Sequence, residues 1–237
     1  MNVYYITGTS KGLGKAISEQ LLQNTDNFVV GISRNQTIEH KNYKHISLDL
    51  SKPVEVINFK FDIFDNAESY VLINNSGIIG DIKHIGNVDN KKIIETYNVN
   101  IVSPSILTNN FVRDYKNTDA KKTILNISSG AGRHSIESWG AYCASKAAMD
   151  MFSLVANDDF NYLSDNNFKI FSVAPGIVDT PMQDDIRSAN ESDFSAVNNF
   201  ITYKKQNLLS QPEQIAQQLI DMLKKHPNTV ISDVRDL

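Results

Sequence analysis

Apolar and polar positions follow two rhythms along this chain. Seven short runs rich in β-branched, aliphatic and aromatic residues read as strands: Val3–Thr7, Phe28–Ser33, Lys44–Leu48, Tyr70–Asn74, Thr123–Ser128, Lys169–Ala174 and Thr229–Ile231. Near-continuous apolar runs of this length suit strands covered on both faces. Between the runs, apolar residues recur at helical spacing, as Ala16, Ile17, Leu21 and Leu22 do. This spacing predicts helices over Leu13–Gln23, Val54–Phe61, Asn90–Tyr115, Ala141–Leu163 and Glu213–Lys224. Strand–helix alternation implies a parallel sheet with helices on both faces, a single-domain, doubly wound, Rossmann-like α/β fold over residues 1–237. Two stretches fit less well. N-F-K-F-D-I-F-D, from Asn58, alternates as a strand would, inside or beside the second helix. Thr180–Ser210 is polar, with little apolar periodicity before Phe200.

The candidate chemistry sits just after predicted strands, where ligands bind in such sheets. Gly8, Gly12 and Gly14 break the chain between the first strand and the first helix. A strand, a glycine turn and a helix N-terminus gather unpaired N–H groups and the positive helix end, which suits a pyrophosphate. The spacing is G-x-x-x-G-x-G, and taken alone it also suits a tight structural turn. Further along, Tyr142 and Lys146 lie one helical turn apart in Y-C-A-S-K, with Ser129 upstream in N-I-S-S-G-A-G. A phenol, an ammonium and a hydroxyl can reduce a carbonyl without a metal: the phenol gives its proton to the alkoxide left by hydride attack. Its ordinary pKa of about 10 is high for that task, and a neighbouring ammonium is expected to lower it. A drop of about three units would need roughly 4 kcal/mol of differential stabilisation. Alone, Y-x-x-x-K is equally a surface i,i+4 pair.

Together these motifs resemble the short-chain dehydrogenase/reductase family over essentially the whole chain. T-G-T-S-K-G-L-G, from Thr7 to Gly14, resembles its cofactor motif. The resemblance implies cofactor contacts from Gly8, Ser10, Lys11, Gly12, Leu13 and Gly14, from Asp49 and Leu50 at the adenine, and from Asn75, Ser76 and Gly77 in N-N-S-G. It also implies contacts from Pro175, Gly176, Val178 and Thr180 in P-G-I-V-D-T, and from Tyr142 and Lys146. It implies a catalytic tetrad of Asn100, Ser129, Tyr142 and Lys146, with Asn100 holding a relay water and Lys146 holding the nicotinamide ribose. Two departures stand out. Ser76 replaces the usual Ala, and the C-terminus reads N-T-V-I-S-D-V-R-D-L without the usual V-D-G-G. With S-K-G-L-G and I-S-R-N, it looks most like the sepiapterin reductase and benzil reductase branch.

The second strand ends in Ser33 and Arg34, where an NAD enzyme carries an acid for the ribose hydroxyls. Guanidinium can bind a 2′-phosphate bidentately, and Lys11 adds a second charge, so NADP(H) is the expected cofactor. Both residues also make sense as plain surface charges, and Asp49 as a turn cap.

At 237 residues with net charge −4, the chain carries no basic patch with interleaved aromatics, which argues against nucleic acid. No apolar run reaches membrane-spanning length, and the first strand follows the initiating Met at once, so the expectation is a cytoplasmic protein without a signal peptide. Cys143 is the sole cysteine and reads as a small buried residue. The histidines show no ligand spacing, and no metal is expected.

His134, Trp139, Met182 and the stretch after Pro181 are expected to shape a pocket for a small aromatic ketone, diketone or pterin side chain. Trp139 equally suits packing at its helix start. In the family Thr180–Ser210 is the mobile segment that closes over substrate; a solvated insertion is the alternative. Two other functions stay open: an NADPH-binding sensor or scaffold without turnover, and an alcohol dehydrogenase working oxidatively. Ile101, Ile106, Leu107, Phe111, Met149, Phe152, Leu154, Val155 and Phe160 exceed one buried helix stripe, which points to a homodimer, with a tetramer as a further option.

Overall fold

The computed structural model describes residues 1–163, 167–225 and 227–236. Strands β1 (Asn2–Thr7), β2 (Asn27–Ser33), β3 (Tyr43–Ser47), β4 (Ser69–Asn74), β5 (Lys121–Ile127), β6 (Phe168–Ala174) and β7 (Ile231–Asp233) form one sheet. Its order is β3-β2-β1-β4-β5-β6-β7 and every neighbouring pair is parallel. The order reverses between β1 and β4, the switch point at which the carboxyl ends of open α/β sheets take ligands.

The alternation of side chains assigns each strand residue to a face. Tyr4, Ile6, Val71, Ile73, Leu125 and Val173 pack toward helices α1 (Gly12–Leu21) and α8 (Pro212–Lys225), which supply Ile17, Leu21, Leu219 and Met222. Val3, Tyr5, Val30, Tyr70, Leu72 and Ile124 face the other way, onto Leu107, Phe111, Tyr115 and Phe160. Those four come from α4 (Ser103–Tyr115) and α5 (Gly140–Tyr162). Each fully buried Leu, Ile or Phe contributes about 1.5–3 kcal/mol, so both faces stabilise the sheet.

Three expectations need correction. The helix over Val54–Phe61 is one turn only, α2 (Pro53–Val56). Beyond it the Phe59–Phe64 stretch is an extended strap that joins no strand. Asn110 Nδ2 donates to the carbonyls of Val56, Ile57 and Phe59, ending the turn, while Phe61 inserts among Tyr5, Phe111 and Tyr115. The long helix over Asn90–Tyr115 is α3 (Asn90–Tyr97), a wide π-helical turn over Asn98–Val102, and α4. Pro104 has no N–H to give in the first turn of α4, and π turns concentrate at functional positions. The last strand lies two residues beyond its predicted place, at Ile231–Asp233. The polar 180–210 stretch carries α6 (Pro181–Arg187) and α7 (Val197–Lys205), anchored by buried Ile186, Phe194 and Val197.

The surplus of apolar helix residues is smaller than predicted. Leu107, Phe111, Met149 and Phe160 are buried in the chain itself, while Val155 is exposed, as are Val102 and Met151 beside them. Among the described residues no helix is long and apolar enough to cross a membrane.

Candidate active site

The glycine turn between β1 and α1 is built for close approach. Gly8 and Gly12 have φ of 77° and 58°, which side-chain-bearing residues rarely adopt. Gly14 is buried against the turn: a Cβ there would stand 2.3 Å from Asn75 Nδ2 and 2.5 Å from the Gly8 carbonyl. Lys11 precedes α1 in extended conformation, no side chain caps the helix, and its first turn has no acid. The positive helix end is therefore open to an anion. Thr7, the last residue of β1, holds the loop after β4 beside the turn, its Oγ1 accepting from the amides of Asn75 and Ser76 at 3.0 and 2.9 Å.

A cavity of about 580 Å³ starts at this turn and runs along the carboxyl ends of the strands. It is lined by Gly8, Ser10, Lys11, Gly12, Leu13, Arg34, Asp49, Leu50, Asn75, Ser76 and Gly77. Ser129, Tyr142, Lys146, Pro175, Gly176, Val178 and Thr180 line its other part. Of the residues singled out in the sequence, Gly14 and Asn100 stand behind this wall. Asp49 Oδ1 accepts from the Ser51 amide and hydroxyl, so it is a turn cap as well as a wall residue. Despite the resistance of its partial burial, these bonds and the nearby charges of Arg34 and Lys52 hold its carboxyl below the usual range. Ser33 Oγ donates to the Asn35 carbonyl at 2.9 Å and meets His45 Nε2 at 3.1 Å. Its proton is thus engaged inside the protein, and Arg34 is the exposed group at this corner.

Glycines with positive φ, an uncapped helix end and a long cavity fit a dinucleotide cofactor. Gly176, at φ 74° with open space where a Cβ would stand, extends the same fit to the far end.

At that end the tetrad residues come from three elements. Ser129 follows β5, Tyr142 and Lys146 lie in α5, and Asn100 sits in the π turn. The Ser129 and Tyr142 hydroxyls share a hydrogen bond. Lys146 Nζ lies 5.8 Å from the centre of the Tyr142 ring and donates to the Ile127 carbonyl at 2.7 Å. Asn100 is fully engaged: its Oδ1 accepts from the Ile78 amide at 2.9 Å, and its Nδ2 donates to the Ile78 carbonyl and to Ser145 Oγ. Ser145 and Ile78 are partners that the motifs did not reveal.

The expected fall in the phenol's pKa is not what this arrangement produces. Burial raises the Tyr142 pKa, against a lowering by Ser129, while burial brings Lys146 down to about 8. The low-dielectric interior disfavours both charged forms, and the ammonium points at a carbonyl instead of the phenol oxygen. Near neutrality Tyr142 keeps its proton.

The rest of the wall is aromatic and apolar. Trp139 packs edge-on to Tyr142 at 5.6 Å between ring centres, and Phe194 and Phe200 lie 5.6 and 5.7 Å from Trp139. Trp139 therefore both packs at the start of α5 and lines the cavity, together with Met182, Ile136 and Phe200. His134 is exposed at the rim, and Cys143 is half-buried, not fully buried as expected. Glu95, Gln183, Asp185, Asp233 and Arg235 also line the wall, without any sequence signal to mark them. Among the described residues, no three His, Cys, Asp or Glu side chains stand together as a metal site.

A family profile described as short chain dehydrogenase matches residues 2–191. The chain belongs to the short-chain dehydrogenase/reductase family. It is 37% identical to a benzil reductase ((S)-benzoin forming) of Bacillus cereus, covering 94% of each chain. A benzil reductase of Bacillus subtilis (strain 168) is 32% identical, covering 100% of this chain and 99% of that one. Among solved structures, the KRED1-Pglu enzyme superposes with a TM-score of 0.83 at 27% identity, over 97% of this chain and 98% of that one. The fold and the benzil reductase side of the expected branch are thus established, and the chain is an oxidoreductase of a family that uses nicotinamide dinucleotides.

Proposed function

We propose that this protein is an NADPH-dependent reductase of small aromatic ketones or 1,2-diketones, with benzil as the reference substrate. The observation that carries this reading is a buried Tyr142 at the wall of the dinucleotide cavity, hydrogen-bonded to Ser129 and walled by Trp139 and Phe200. A nicotinamide bound there supplies the hydride. Ser129 and Tyr142 donate to the carbonyl oxygen as charge builds on it, which is the largest common source of such acceleration. Tyr142 then releases its proton to the alkoxide. Its raised pKa suits reduction, because a reductase must start with the proton in place. Lys146, mostly charged below about pH 8, donates to the Ile127 carbonyl and stands ready for the cofactor ribose. Asn100 holds the turn that brings Ile78 and Ser145 against this end. The aromatic wall and the similarity to benzil reductases support an aromatic substrate.

Arg34 and Lys11, both exposed at the helix-turn corner, support NADPH over NADH. Loss of absorbance at the reduced-nicotinamide band, with benzil and NADPH, tests the reading; NADH is the control. Reduction with NADPH well ahead of NADH is expected, and Arg34→Asp should remove most of that preference. Absence of turnover with benzil, with a simple aryl ketone and with a pterin ketone would reject it. Exposed Val102, Met151 and Val155 on the π turn and α5 support a two-fold dimer through these elements. Sedimentation at micromolar concentration should give twice the mass of one 26.6 kDa chain.

A further inference from the structure

One buried acid near the site has no part in the reaction so far. Asp150 lies one helical turn beyond Lys146 on α5, and its side chain is 9% exposed. Its Oδ1 accepts from Ser172 Oγ of β6 at 2.6 Å, and its Oδ2 accepts from Arg133 Nε at 3.1 Å. Arg133 follows the loop that starts at Ser129, and its Nη2 donates to the Ser232 carbonyl of β7 at 2.9 Å. One carboxylate thus ties the helix of Tyr142 and Lys146 to the loop of Ser129 and to the last two strands. The loop is pressed tightly on the helix: a Cβ at Gly132 would stand 2.8 Å from the Lys146 carbonyl carbon.

We propose that Asp150 is a positioning residue for Lys146: fixed by Ser172 and Arg133, its buried carboxylate keeps the Lys146 side chain charged and its helix turn in place. This role rests on the reductase reading above. The charge argument is a competition. Burial pulls Lys146 toward the neutral amine, and Asp150 is the acid whose field opposes it. The other charged or titratable groups facing this corner are Tyr142 on the same helix, Arg133 on the loop and Asp233 on β7. Asp233 is held by Arg235 and also feels Arg133. Glu95 on α3 and Asp185 on α6 line the same cavity. The π turn brings Asn100 and β6 brings Ser172, neither of them charged. Arg133 both fixes Asp150 and partly offsets its charge, so the two side chains should act on Lys146 with opposite sign.

That opposition gives the test. The Lys146 Cε resonance, assigned by its loss in Lys146→Met, is titrated by NMR in the protein without cofactor. The wild-type midpoint is expected near pH 8. Asp150→Asn keeps the shape and removes the charge, and should lower the midpoint by about one unit. Arg133→Met should raise it, and Asp150→Glu should restore the wild-type value. A loosened corner would instead carry every variant upward, toward the value of free lysine. An unchanged or raised midpoint in Asp150→Asn overturns the proposal; if that variant does not fold, an unchanged or raised midpoint in Asp150→Ser does so. The alkaline limb of NADPH-dependent reduction should follow the same shifts. Absence of turnover in the wild type would reject the reductase reading while leaving the titration to decide the part played by Asp150.

Discussion

Two aromatic clusters of this molecule treat their polar atoms in opposite ways. In the first, the strap ring Phe61 meets Tyr5 at 4.8 Å and Phe111 at 5.2 Å, and Tyr70 stacks on Tyr115 at 3.8 Å. Every hydroxyl there has a partner on the strap. Tyr5 takes the Asp62 amide, Tyr115 donates to the Asp62 carbonyl, and Tyr70 takes the Phe64 amide. Burial pushes Tyr5 up to about 12 and Tyr115 upward as well, so these phenols stay neutral under ordinary conditions. In the second cluster, Trp139, Phe194 and Phe200 stand beside Tyr142, but Trp139 Nε1 and Gln183 Oε1 are buried without a partner among the described residues. An unsatisfied buried polar atom costs about 1–3 kcal/mol. The first cluster is closed and complete. The second faces a cavity and keeps unspent hydrogen-bonding capacity, as a surface made for another molecule does.

The largest expected effect tests the closed cluster. Phe61→Ala should lower the free energy of unfolding by about 3–5 kcal/mol, the range for truncating a buried ring. Denaturant titration measures it, and turnover per folded molecule should stay within about twofold. A loss under about 1 kcal/mol would mean that the strap is held by the backbone bonds to Asn110 and Tyr5 rather than by ring packing.

Next comes the open cluster's reacting group. Tyr142→Phe keeps the ring against Trp139 and removes the hydroxyl that Ser129 shares. Turnover should fall a hundred-fold or more, about 2.7 kcal/mol, while NADPH binding followed by fluorescence is preserved. Stability should change by about 1 kcal/mol or less, since one hydrogen bond is lost and no cavity of note is made. The two variants thus separate a ring that holds the fold from a ring that holds a proton. Reductase activity near the wild-type level in Tyr142→Phe would erase that distinction.

The same contrast explains what could be read from the sequence. Strands with both faces buried announce themselves, so Val3, Val30, Leu72 and Ile124 pointed to a parallel sheet before any contact was known. The glycine turn and the Tyr142–Lys146 spacing were equally legible, because local geometry forces those residue types. The strap was not. Phe59, Phe61 and Phe64 satisfy a helix poorly and a strand well, and the outcome was set by Asn110 and Asp114, which meet the strap only through the fold. The π turn is not legible either, although Pro104 is a local reason for a break in the long helix. The charge state of the Tyr142–Lys146 pair is hidden from the sequence for a related reason. Spacing alone placed an ammonium near a phenol, whereas burial and the Ile127 carbonyl decide where the charge goes. Asp150 lies at another i,i+4 step from Lys146, a pattern that on a helix surface would signify little.

The smallest effect sharpens the contrast most. Trp139→Phe keeps an aromatic ring between Tyr142 and Phe200 and removes the Nε1 donor. In the closed cluster, deleting a bonded hydroxyl strands its partner; here the removed N–H has no partner among the described residues to strand. The unfolding free energy should therefore change by under about 1 kcal/mol, because relief of the unsatisfied donor offsets the smaller ring. The benzil KM should rise about three- to tenfold through lost wall contact, equivalent to about 0.7–1.4 kcal/mol, with kcat nearly unchanged because Ser129, Tyr142 and Lys146 are untouched. Steady-state kinetics with benzil and with a small aliphatic diketone separates the causes. A rise confined to the aromatic substrate assigns Trp139 to recognition. An equal rise for both, together with a fall in kcat, would place Trp139 with Phe61 as a ring that only supports its neighbours.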